Sequence, residues 1–229
     1  MLIPLKDENP TYSKPILTVS LIVLNVFIWL YQSSLGPMEQ EFVLRMGAIP
    51  YQIVHLNDLP PTNFFPLPMT LISSMFLHGG LMHLLGNMLF LWIFGNNIED
   101  DLGRGRFLIF YLLTGVIASL GHIVAAPNSE IPMIGASGTI SGILGAYVVL
   151  YPRAKIVTAV LIIIILRIFR IPAIIFLGIW FAMQLLAAGN PAAGGVAWWA
   201  HIGGFVVGAL LILVFRRDRG AGSYTISDA

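Results

Sequence analysis

The 229-residue chain has no cysteine, so disulfides, thiolate nucleophiles and cysteine-ligated zinc are excluded. Charge is scarce as well. Asp, Glu, Lys and Arg make up 10 % of the residues, against about a quarter in soluble domains. No HExxH occurs, so a zinc hydrolase of that type lacks its ligands. The formal net charge is +1 with no basic stripe, and nothing points to nucleic acid. No internal repeat or second domain is visible. What is abundant is apolar: 57 % of residues are hydrophobic and the mean hydropathy is +0.86. That is the composition of a multi-span membrane protein.

A spanning helix takes about 20 mostly apolar residues. Six stretches are read as spans, at 15–32, 81–98, 107–126, 136–151, 172–188 and 199–215. The first is read as a retained helix, because the following "QSSLGP" is a poor small-x-small cleavage site. The run "IVTAVLIIIILRIFRI", 156–171, has an apolar core that would reach only about 16 Å as a helix, at about 1.5 Å per residue. It is read as an interfacial segment that enters and returns. The cations agree with six spans. Lys6, Lys14, Arg104, Arg106, Arg153, Lys155, Arg167, Arg170, Arg216, Arg217 and Arg219 then fall on one side, and only Arg45 falls opposite. The positive-inside rule puts that side, with both termini, in the cytoplasm. The expected fold is an all-α, compact six-transmembrane-helix bundle over 15–216. A cytoplasmic segment (1–14) precedes it and a cytoplasmic tail (217–229) follows. A long first outer loop, 33–80, carries a short amphipathic helix at "MEQEFVLRMGAIP".

By this assignment every Asp, Glu and Lys lies in a loop or tail, with Glu99, Asp100, Asp101, Arg104 and Arg106 in a solvated cytoplasmic loop. An intramembrane aspartyl dyad and a Ser–Lys pair are thereby excluded. The ionisable groups left in or beside the spans are His83, His122 and His201, and the notable neutral ones are Asn25, Asn87, Ser137, Ser141 and Gln184. Polar groups at such depth are functional hypotheses by default. Asn25 and Gln184 are read as bonds between helices. His55, His78 and His122 are read as outside the chemistry.

In "MIGASGTISGILGAY", Ser137 lies between Gly135 and Gly138 at the start of a span. The glycines leave the backbone open to a substrate carbonyl, and the helix N-terminus favours a developing oxyanion. With no carboxylate or lysine at depth, the base for such a serine has to be histidine, giving a Ser–His dyad. An N-cap serine beside a packing glycine fits the same letters. "WWAHIGGFVVGALL" supplies His201, with Gly204 and Gly208 at i+3 and i+7. Ser137, Ser141 and Gly145 recur every four residues, as do Gly138 and Gly142. Two such small-residue faces pack closely, at matching depth for Ser137 and His201. "HLLGN" puts His83 and Asn87 at i and i+4 on one helical face, either as two oxyanion donors or as a polar clamp. Spacing alone leaves His83 and His201 as competing bases. A small channel or transporter would carry polar residues through the full depth, whereas here they gather in the outer half.

With GASG, HLLGN and AHIGG in order on separate spans, the chain resembles the rhomboid intramembrane serine proteases in their six-span bacterial form. "GNNIEDDLGRGRFLIFYLLTG" and "YPRAKI…RIPA" add to the resemblance. It implies Ser137 as nucleophile, His201 as general base, and His83, Asn87 and the Ser137 amide as the oxyanion hole. It implies a water-filled cavity open to the outer side of the cell membrane. A gate and cap would lie at Trp180–Phe181 and at Gly194 to Trp199, with Trp198 among them. No metal or cofactor is implied. The substrate would be another membrane protein whose helix unwinds near the outer interface, with a small residue at the cut. Some relatives carry a tyrosine one turn after the serine, on which the histidine stacks. Ser141 stands there instead, which leaves open what orients His201, Ser141 being one possibility. Inactive relatives usually lack the serine or the histidine, and this chain has both.

Overall fold

The computed structural model describes residues 2–162, 165–190 and 195–216. The expected tail, 217–229, and Gly194 lie outside the described residues. The chain begins with strand β1 (Leu2–Asp7) and helix α1 (Ile16–Ser34), which Pro15 precedes. The long connection that follows holds α2 (Glu39–Met46), α3 (Pro50–His55) and α4 (Thr70–Ser73). Helix α5 (Leu81–Phe90) runs through a π-helical turn at Leu91–Gly95 into α6 (Asn96–Leu102). Gly103, at φ 72°, breaks the chain there before α7 (Arg104–Ala125). Then come α8 (Ser137–Leu150), strands β2 (Lys155–Ile162) and β3 (Ile165–Pro172), α9 (Ala173–Ala188) and α10 (Trp198–Phe215).

Among the described residues, four helical runs are long and apolar enough to cross a membrane: α1, α5 through α6, α7 and α10. Helices α8 and α9 are apolar but shorter, at 14 and 16 residues. The outward faces are greasy, with Phe27 68 % and Val214 79 % exposed. Such surface is expected against lipid and not against water.

The molecule is mostly helical, but it is not all-α. Of segment 156–171, expected to enter and return at the interface, the described residues form two paired strands. Strands β2 and β3 pair antiparallel, with Val157 opposite Arg170, and β1 adds on the other edge of β2, with Ile3 opposite Ala159. The run is rich in Ile and Val, which suit a pleated strand better than a short helix. The residues before α1 thus supply a strand to a sheet whose other strands are far away in sequence, Leu2 pairing with Val160 and Asp7 with Ile156.

A second correction concerns Glu99, Asp100 and Asp101, which lie on α6 and not in a solvated loop. Glu99 is buried and accepts from the Leu17 and Thr18 amides at 2.9 and 2.7 Å. Asp100 accepts from the Tyr12 and Ser13 amides. The physical reason is the start of α1, which has no side-chain cap of its own. Its free N–H groups and positive dipole end attract a carboxyl from a neighbouring helix.

Helix α8 sits at the centre, buried from Thr139 to Tyr147 and packed against α7 and α10. Its contact with α10 is backbone against backbone. A Cβ on Gly204 would run into the carbonyl of Gly138, one on Gly208 into that of Gly142, and one on Gly145 into that of Phe205. No larger residue permits this approach, and van der Waals packing of this kind drives helix association where no hydrophobic force acts.

Candidate active site

The segment entering α8 is pinned from the long connection after α1. Ala48 and Met133 exchange backbone hydrogen bonds, and the Gly135 amide donates to the Ser74 carbonyl at 2.9 Å. Gly135 has φ +116°, and a Cβ there would lie 2.8 Å from the His83 ring. Only glycine fits this position, on backbone and on space. Ser137 follows as the first residue of α8, which has no side-chain cap. The first-turn N–H groups of a helix have no partner within it, so those of α8 are open to an acceptor.

The close α8–α10 contact sets His201 beside this turn. His201 Nε2 lies 2.8 Å from Ser137 Oγ, and Nδ1 lies 2.9 Å from Gln184 Oε1 on α9. The Gln184 amide nitrogen donates to the Trp180 carbonyl at 3.1 Å. Trp198 meets the imidazole edge-on at 5.8 Å and Trp180 lies tilted over it at 6.2 Å. Ser141 does not orient His201. Its hydroxyl donates back to the Ser137 carbonyl at 2.6 Å, the local bond that a helical serine makes with position i−4. Gln184 does bond between helices, and its partner is His201. The one signal in the sequence is that Trp180 and Gln184 stand four residues apart; nothing there names His201 as the third member.

His83 and Asn87 share a face of α5, turned toward Gly135. The Gly79 amide donates to His83 Nδ1 over a long 3.4 Å. In the neutral ring Nε2 then carries the proton, and Nε2 is an atom that lies beside Gly135. His83 is therefore set to donate, and the partner on Ser137 Oγ is His201. Asn87 is buried, and its Nδ2 has no hydrogen-bond partner among the described residues. His78, before α5, is fully buried edge-on against His83. Burial, then the neighbouring His83, lowers its pKa to about 4, which keeps it neutral and makes it a packing group.

These groups open on one cavity of about 780 Å³, lined by His83, Asn87, Ser137, Ser141, Gln184 and His201, with His122, Trp180 and Trp198. No Asp or Glu lines it among the described residues. Gly138, Gly142, Gly204 and Gly208 lie at the α8–α10 contact. Phe181 stacks on Phe205 at 4.6 Å, and neither Phe181 nor Trp199 lines the cavity. Among the described residues no His, Asp and Glu cluster could hold a metal ion. Chemically, a hydroxyl bonded to imidazole can lose its proton as the oxygen attacks a carbonyl. N–H donors nearby can hold the charge that develops.

Comparison with known proteins agrees in extent. The family model for the Rhomboid domain matches residues 68–218. Rhomboid protein 1, mitochondrial, of Saccharomyces cerevisiae is 32 % identical over 150 residues, covering 62 % of this chain and 40 % of that protein. Rhomboid protease GluP of Bacillus subtilis is 32 % identical over 205 residues, covering 86 % of this chain and 35 % of GluP. RHOMBOID-like protein 4 of Arabidopsis thaliana is 33 % identical over 160 residues, covering 66 % and 35 %. The chain thus covers well under half the length of each of these relatives. The family match takes in His83, Asn87, Ser137 and His201 together, and this multi-pass membrane protein belongs to the rhomboid family.

Proposed function

We propose that the chain is an intramembrane serine endopeptidase that cuts transmembrane segments of other membrane proteins through a Ser137–His201 dyad. The observation that carries this reading is the 2.8 Å bond between Ser137 Oγ and His201 Nε2 at the wall of a cavity. In the reaction, Oγ attacks the scissile carbonyl carbon while its proton passes to His201 Nε2. The carbonyl oxygen becomes an oxyanion, held by the Ser137 amide with His83 Nε2–H and Asn87 Nδ2–H. The C–N bond then breaks, His201 returns the proton to the leaving amine, and an acyl ester remains on Ser137. Water reaching the cavity repeats the sequence and releases the acid.

The catalytic unit is 15–216, with six spans: the four long helices and the shorter α8 and α9. Both termini are cytoplasmic, by the cation asymmetry, and the cavity opens to the outer side of the cell membrane. The polar groups that open on the cavity gather at that end, while those at the other end are tied to one another, which favours a site over a conducting path. A membrane helix hides its carbonyls in its own hydrogen bonds. The substrate is therefore a helix that unwinds at the outer interface, with a small residue at the cut so that backbone can approach Gly135 and Ser137. Trp180 and Phe181 on α9 form the gate, and Trp198 and Trp199 belong to the cap.

The test uses purified protein in detergent with an artificial single-span substrate and a fluorophosphonate probe. Wild type should cleave the substrate and label at Ser137, while Ser137→Ala and His201→Ala should do neither. Equal cleavage by all three proteins would refute the reading.

A further inference from the structure

Three bonds run in series through the site: Trp180 carbonyl to Gln184 Nε2 at 3.1 Å, Gln184 Oε1 to His201 Nδ1 at 2.9 Å, and His201 Nε2 to Ser137 Oγ at 2.8 Å. Each fixes the next. The amide nitrogen of Gln184 has to face the Trp180 carbonyl, because the flipped amide would set oxygen against oxygen. Oε1 then faces His201 and can only accept, so Nδ1 is the ring nitrogen that carries the proton. Nε2 is left as a lone pair aimed at Ser137. In the other tautomer Nε2 would present its own N–H to Oγ and could not take the hydroxyl proton.

We propose that Gln184 is the positioning residue of the dyad: it selects the Nδ1–H tautomer of His201, fixes the plane of the ring, and keeps accepting from Nδ1 when the imidazolium forms. This rests on the serine-protease reading above. Ser141 is ruled out for the task by its bond to the Ser137 carbonyl. Gln184 is neutral, so it orients the ring without contributing charge. The other titratable groups lining the cavity are His83 from α5 and His122 from α7, and no carboxylate lines it among the described residues. The imidazolium is therefore met by dipoles alone, and a carboxylate at 184 would change its acidity.

The experiment takes full-length protein in detergent with Gln184→Leu and Gln184→Glu. Gln184→Leu should lower kcat roughly 10²-fold, the low end of what a placed general base contributes, with KM and the thermal midpoint near wild type. Gln184→Glu keeps an acceptor at Nδ1 but loses the donor to Trp180. It should recover part of kcat and move the acid limb of kcat/KM to higher pH, because a negative neighbour favours the imidazolium. Packing alone would not move that limb. A second readout needs no turnover: the tautomer of His201 by nitrogen-15 NMR in Ser137→Ala protein, assigned against His201→Ala. With Gln184 present, Nε2 should read as unprotonated, and with Gln184→Leu the two tautomers should mix. Wild-type kcat in Gln184→Leu, an unmoved acid limb in Gln184→Glu, or a His201 tautomer indifferent to residue 184 would each overturn the proposal. Turnover by Ser137→Ala would instead sink the parent reading, and the NMR result would still judge Gln184. If Gln184→Leu fails to fold, the Gln184→Glu pH profile decides.

Discussion

At its C-terminal end helix α8 is tied down by Tyr147, whose hydroxyl donates to Asp7 Oδ2 at 2.7 Å while Asn97 donates to the same oxygen at 2.8 Å. Phe94 packs edge-on against the Tyr147 ring at 5.0 Å. At its N-terminal end the accounting differs. Ser137 has an acceptor in His201, but Asn87 Nδ2 has none among the described residues. The helix start there has no side-chain cap, and Gly135 leaves the approach clear. One end matches its donors to acceptors and holds the helix in place. The other keeps donors in excess around a cavity, which suits an oxygen that arrives with a substrate. An unsatisfied buried donor costs about 1–3 kcal/mol, so such an excess persists where function recovers it.

The largest effect should therefore come from Asn87→Ala. Losing one oxyanion donor typically costs about 10²–10³ in kcat, and the deleted Nδ2 has no hydrogen-bond partner among the described residues. We expect that loss in cleavage of the single-span substrate, with a thermal midpoint in detergent close to wild type. A lowered midpoint with unchanged kcat would reverse the contrast between the two ends. Tyr147→Phe should do the opposite. Removing a hydrogen bond to a carboxyl group costs about 1.5–3 kcal/mol, and Phe leaves no void. The unfolding midpoint should fall while kcat, measured below that midpoint, changes little.

The sequence made one end of α8 far easier to read than the other. Ser137, His201, His83 and Asn87 stand out because hydroxyl, imidazole and amide are rare in apolar spans, and the glycine ladders announce where backbones touch. The close contacts of Gly142 with Gly208 and of Gly138 with Gly204 need no more than small residues at helical spacing. What resisted reading depends on contacts far apart in sequence. Asp7 meets Tyr147 across 140 residues. Strand β1 has no meaning until β2 lies beside it, and Glu99 looks solvated until α1 arrives with uncapped amides. Gln184 belongs to the same class. Its neighbour in space, His201, comes from the next helix, and a glutamine on a membrane helix bonds equally well to many partners.

The smallest effect concerns Asp7, and it sharpens the comparison by asking what the satisfied end costs. Burial raises the Asp7 carboxyl above its ordinary value of 3.8, and the hydrogen bonds from Tyr147 and Asn97 offset this only in part. A carboxyl whose pKa is higher folded than unfolded takes up protons on folding. Its contribution is full below the unfolded value and is lost as pH rises through the folded one. Asp7→Asn removes the titration while keeping an oxygen for both donors. The midpoint of wild type relative to Asp7→Asn should thus increase as pH falls from neutral toward about 4, measured by thermal unfolding in detergent. A difference that widens toward high pH would show that the two donors outweigh burial and that the ionised carboxylate is the form the fold prefers. In that case the tie at Tyr147 would be an ionic anchor, and low pH would loosen the end of α8 that lies farthest from Ser137.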